Sequence, residues 1–114
     1  MPEDHCYDEN PLYITNTINW SVPQTICSDI IVQNGGSLTI STDILLSKGA
    51  TLYIENGGTV IISGGHLTNG NTEVHGGGNL SITNNGSIEL TIGDEFSSDL
   101  GAIINLTYGS VNRN

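Results

Sequence analysis

A short phrase returns along this chain. GGSLTI at 35–40 reappears as GGTVII at 57–62, with GATLYI at 49–54 between them. A two-glycine turn followed by an apolar-x-apolar strand thus recurs after 22 residues. A fixed period of this length marks a solenoid, in which no repeat closes a core alone and each is completed by its neighbours. Within the repeats β-branched residues alternate with polar ones, which is strand periodicity. Windows rich in Leu, Ala, Glu and Lys at helical spacing are missing.

Composition narrows the reading. Only 5% of residues are aromatic, so the core must come from Ile, Leu and Val. Two basic residues against twelve acidic ones give a net charge of −10, a surface that nucleic-acid backbones and anionic membranes repel. Nucleic acid is therefore set aside as a partner. No apolar run reaches the ~20 residues a spanning helix needs, so membrane insertion is set aside too. Met1-Pro2 followed by acids is the wrong start for an export leader, which is expected to be absent from this chain.

The expected organisation is a single domain. Residues 1–11 form an extended acidic lead-in, 12–28 an N-terminal cap with Trp20 as its plug, and 29–114 four to five stacked coils. Ile30, Leu52, Val74 and Phe96, each 22 apart, are expected to form one inward column. Ile40, Ile62 and Ile104 belong to a second, with Ile82 two residues short. Leu45, Leu67, Ile88 or Leu90, and Val111 fit a third. Asn34 and Asn56 are placed to form a short amide ladder beside the turns. Three strands in a coil of 22 with unequal turns suit a right-handed, single-stranded parallel β-helix better than the left-handed form, which runs on hexapeptides.

The succession DIIV, GGSLTI, DILLS and GATLYIENGGTVIISGGHLTNG, preceded by Trp20, resembles the N-terminal β-helical segment of secreted or surface-anchored proteins of Bacteroidetes. That segment belongs to the broad pectin-lyase-like group of right-handed β-helices. The likeness covers about residues 14–70 well and the remainder loosely. It implies an exported protein, often one module of something larger. The enzymes of that fold are much longer than the four or so coils expected here.

If the 22-residue register held throughout, the outward columns would be Asp29, Thr51, Glu73, Glu95 and Ile31, Tyr53, His75, Ser97. Glu73 and Glu95 would then lie about 5 Å apart on adjacent coils, a separation a retaining glycosidase uses and a calcium ion would accept. Tyr53 over His75 beside these acids is the candidate sugar-binding patch, a ring to stack on and carboxylates to accept hydroxyls. The plainer alternative is an exposed ladder with no ligand.

A lyase of this fold needs an Arg or Lys base, and Lys48 and Arg113 share no face with the acids in this register. His5, His66 and His75 show no metal-ligand spacing. HGGGNLSI at 75–82 lacks the Asp of a calcium-binding nonapeptide repeat. Asn19, Asn79, Asn85 and Asn105 match the glycosylation pattern in a chain where Asn, Ser and Thr are abundant. Cys6 and Cys27 are either a disulfide pinning the acidic segment to the first coil or a free thiol and a buried one.

The function expected is non-enzymatic: a secreted or cell-surface module with a structural or adhesive role and a glycan as candidate ligand. No cofactor is expected, calcium being the alternative. Partners are a glycan or another surface protein, and the chain is a monomer or associates weakly through its solenoid ends. The alternatives are a small carbohydrate-active enzyme using Glu73 and Glu95, and a fragment of a longer surface β-helix.

Overall fold

The computed structural model describes residues 10–47 and 49–113. They form a parallel β-solenoid of about five turns with roughly 21 residues per coil. Each coil lays one strand on each of three faces. Sheet A holds β1 (Leu12–Ile14), β4 (Ile30–Val32), β7 (Thr51–Ile54), β10 (Asn71–Val74) and β13 (Phe96–Ser98). Sheet B holds β2 (Thr17–Trp20), β5 (Ser37–Ile40), β8 (Thr59–Ser63), β11 (Asn79–Thr83) and β14 (Ile103–Asn105). Sheet C holds β3 (Gln24–Ile26), β6 (Asp43–Leu46), β9 (His66–Thr68), β12 (Ser87–Leu90) and β15 (Ser110–Arg113). Among the described residues there is no helix, so none is long and apolar enough to cross a membrane.

Alternation along each strand sends every second side chain inward. Leu38, Ile40, Val60, Ile62, Leu80 and Ile82 of sheet B meet Ile30, Leu52 and Ile54 of sheet A and Ile44, Leu67 and Ile88 of sheet C in one cluster. These side chains are buried to within 1%. Burying each contributes roughly 1.5–3 kcal/mol relative to exposure, and nearly all of that depends on the coils above and below.

The inward columns differ from the even 22-residue register. In sheet A, Leu52 stands opposite Ile30 and Thr72, and Thr72 stands opposite Phe96. Val74 is inward but belongs to the neighbouring column with Val32 and Ile54. Two passages are the cause, the turn between sheets B and C and the turn between sheets C and A. The first takes six steps from Leu38 to Ile44, seven from Val60 to Leu67 and eight from Leu80 to Ile88. From Leu67 to Thr72 the chain takes five steps, against eight from Ile44 to Leu52 and from Ile88 to Phe96. The short passage is an Asn69-Gly70 turn with φ of 70° and 78°, the two-residue type I′ geometry. The spacing therefore runs 20 and then 24, and the two departures cancel between Leu52 and Phe96.

The other two expected columns are corrected in the same way. Ile82 does follow Ile62, but Ile104 pairs with Leu80. In sheet C the inward place is taken by Ile44, which pairs with Leu67, while Leu45 is 41% exposed and faces outward opposite Thr68. Residues 12–28 were expected to be an irregular cap. They supply β1, β2 and β3, paired in parallel with β4, β5 and β6, and so form a first, shorter coil. Trp20 packs half-buried against the core opposite Ile40, the end position in which a plug was expected.

The inward and outward assignments can be tested on adjacent residues. Ile62→Ala should cost about 2–5 kcal/mol, because its side chain is fully enclosed between Ile40 and Ile82. Ile61→Ala, on the outer face, should cost well under half as much. Urea unfolding of the two variants measures both, and equal losses would contradict this facing.

Candidate ligand-binding face

The corner between sheets A and B is the most regular part of the solenoid. Four successive coils turn there through Gln33–Gly36, Glu55–Gly58, His75–Gly78 and Asp99–Ala102. Each turn closes with a hydrogen bond from the amide of its fourth residue to the carbonyl of its first, at 2.7–3.1 Å. The third residue is always glycine, Gly35, Gly57, Gly77 or Gly101, with φ between 82° and 92°. That is the type II pattern, in which a positive φ at the third position demands glycine.

The amides of Gly35, Gly57 and Gly77 each donate to the carbonyl of the corresponding glycine one coil on, at 3.0–3.2 Å. Asn34 and Asn56 are stacked beside this ladder, though not as the amide-to-amide pair that was expected. Each amide lies over the glycine of the next coil, so near that a Cβ on Gly57 or Gly77 would meet its Oδ1 at 2.2 or 2.1 Å.

Because the turn is fixed by its glycine, the first residue of each turn is free to vary. Gln33, Glu55, His75 and Asp99 form a column along this corner, their amides bonding to the preceding coil. Beside it runs the outward column of sheet A: Tyr13, Ile31, Tyr53, Glu73 and Ser97. The two columns meet at His75. Its Nδ1 lies 3.4 Å from Asp99 Oδ2, and its Nε2 lies 3.4 Å from Glu73 Oε1 and 3.8 Å from Glu55 Oε2. Nε2 is shielded from solvent and makes no hydrogen bond. The Tyr53 ring leans on the imidazole with centroids 6.2 Å apart and planes at 52°. Toward the first coil, Tyr13, Ile31, Gln33, Asn34, Glu55 and Asn56 line a shallow open groove.

Three of the four expected ligand-binding residues are therefore brought together: Tyr53, His75 and Glu73. Tyr53 stands directly beside Glu73, with His75 on the diagonal, which reverses the expected stacking of Tyr53 on His75. Glu95 is elsewhere. Glu73 pairs with Ser97, and the Glu95 backbone amide bonds to Asn71 Oδ1 at 2.9 Å, so the two acids are two residues out of register. The adjacency behind both the paired-carboxylate and the calcium alternatives is not formed. Among the described residues no group of three or more His, Cys, Asp or Glu side chains is arranged to hold a metal ion.

Glu55, Asp99 and Tyr13 escaped the sequence reading. The signal for the first two was present. Each stands two positions before the glycine that repeats at this corner, as His75 and Gln33 do.

Sheet C presents a second face. Asp43, His66 and Ser87 are aligned on successive coils, and His66 Nδ1 shares a 2.6 Å hydrogen bond with the buried Ser87 hydroxyl. This ties coils together beside a groove lined by Pro23, Thr25, Leu45 and Glu89. Arg113 ends β15 on this sheet, away from the Tyr53 face. Lys48 lies outside the described residues. Cys27 is disulfide-bonded, and Cys6, the other half of the expected bridge, lies outside the described residues.

No family model matches the chain, and neither a curated protein nor a solved structure is significantly similar to it.

The corner geometry makes a differential prediction. Gly57→Ala should lose about 1–3 kcal/mol from the positive φ and, in addition, displace Asn34. Gly49→Ala carries a similar φ of 88° but meets nothing within 4 Å, so its loss should be confined to backbone strain. Thermal melts of both variants measure the difference, and a Gly49 variant as unstable as the Gly57 variant would count against the stacked amide.

Proposed function

We propose that this chain is a non-enzymatic, exported or surface-displayed β-helix module that binds glycan along the corner of sheets A and B. One observation carries the reading: two tyrosines sit on one outward column, flanked by a column of amides and carboxylates. Tyr13 and Tyr53 stand two coils apart, about 9–10 Å along the axis, on either side of Ile31. Sugar rings stack on such aromatic faces, while Gln33, Asn34, Glu55 and Asn56 offer donors and acceptors for hydroxyls.

The location has its own support. A disulfide at Cys27 suits an oxidising compartment, and the resemblance of residues 14–70 to Bacteroidetes surface segments points the same way. A module of this kind holds its ligand on a rigid rod and leaves chemistry to others. The carbohydrate-active enzyme remains a distinct reading, without the Glu73–Glu95 pair that first suggested it.

The test is a broad glycan array with the wild-type chain, Tyr13→Ala and Tyr53→Ala. Binding should be lost in both variants, while melting temperatures stay close to wild type because both rings lie on the outer face. Binding that survives both substitutions would refute this face, and an array blank for the wild type would refute glycan recognition.

A further inference from the structure

The outward column of sheet A keeps a fixed pace. Tyr13, Ile31, Tyr53, Glu73 and Ser97 follow one another at one per coil, about 4.8 Å apart along the axis. On the corner beside it Gln33, Glu55, His75 and Asp99 keep the same pace, each two residues after its neighbour in the column. Tyr13 is 55% exposed, and Ile31 and Tyr53 are half-buried. These three side chains make one apolar line across the strands, in the groove that Gln33, Asn34, Glu55 and Asn56 border.

The ionised groups here carry one sign. Glu55, Glu73 and Asp99 approach His75 within 3.4–3.8 Å. Arg113, the one Lys or Arg among the described residues, lies on sheet C.

We propose, taking glycan recognition at this corner as given, that the ligand is an extended, uncharged glycan of equatorially linked rings lying along the solenoid axis. In such a chain each residue advances about as far as one coil, and successive rings are flipped, so alternate rings present the same face. A ring stacked on Tyr13 then sets the next but one on Tyr53, with the ring between them over Ile31. A chain of axially linked rings coils, and turns that second face away. Carboxylates or sulfates on the rings would meet Glu55, Glu73 and Asp99 with no Lys or Arg to answer them, so acidic glycans are repelled. Both tyrosines stand on strands already fixed by bonds between coils, so the second contact adds to the first without ordering the protein.

Isothermal titration calorimetry of the full chain with cello-, chitin- and manno-oligosaccharides, disaccharide to hexasaccharide, tests the proposal. In at least one series affinity should rise roughly tenfold or more from disaccharide to trisaccharide, the first length that reaches both tyrosines. Tyr13→Ala and Tyr53→Ala should each abolish that step, and circular dichroism should show both variants folded because the rings lie on the outer face. Malto-oligosaccharides, whose linkages are axial, should show no step. Oligouronates of equal length should bind roughly tenfold or more weakly than the best neutral series. Absence of a step in all three series, a step that survives either substitution, or equal binding of malto-oligosaccharides or oligouronates would overturn this ligand class while glycan recognition stood. Silence of every oligosaccharide together with a blank glycan array would overturn both.

Discussion

The backbone hydrogen bonds that pass from one coil to the next hold this molecule together. Every strand in the described chain is bonded to strands of neighbouring coils, and none to a strand of its own coil. A coil alone would leave its amides and carbonyls unpaired and its Ile, Leu and Val side chains wet. Stacking satisfies both needs at once, at a spacing of about 4.8 Å. The core is therefore a set of columns, and the identity of a residue matters less than whether its column continues. In the last described coil, Glu95 to Arg113, which has a described neighbour on one side alone, no residue is buried.

The same constraint organises the surface. The passage from sheet A to sheet B takes eight steps in each of the last four coils, from Ile30 to Leu38 and so on to Phe96 and Ile104. Its glycine ladder fixes the backbone without using the first side chain of the turn. Gln33, Glu55, His75 and Asp99 can therefore differ in chemistry while sharing one geometry. The corners that lack this regularity do other work. The buried Asp94 accepts bonds from the Thr91 amide at 2.8 Å and hydroxyl at 2.9 Å, closing a turn that is longer than the one before it.

Most of the architecture was legible because glycine turns and alternating apolar residues repeat. The fold class, the solenoid and the facing of most core residues follow from GGSLTI and GGTVII alone. Register was legible only where turns keep their length. The Asn69-Gly70 turn shortens one coil and the longer passage from Leu80 to Ile88 lengthens the next, and their cancellation hid the slip between Leu52 and Phe96. Glu73 and Glu95 looked paired for that reason. The Tyr53–His75–Glu73 cluster emerged in altered order, because a two-residue slip keeps side chains on the same face while changing which are neighbours.

Disulfide trapping measures the register between coils directly. Residues paired across neighbouring coils have Cα separations within the range a disulfide spans, whereas diagonal positions do not. A Glu73→Cys/Ser97→Cys chain, oxidised and mapped by peptide mass spectrometry, should form the new cross-link readily, and Glu73→Cys/Glu95→Cys should not. The reverse outcome, a cross-link between positions 73 and 95 alone, would restore the even 22-residue spacing and undo both the register and the face built on it.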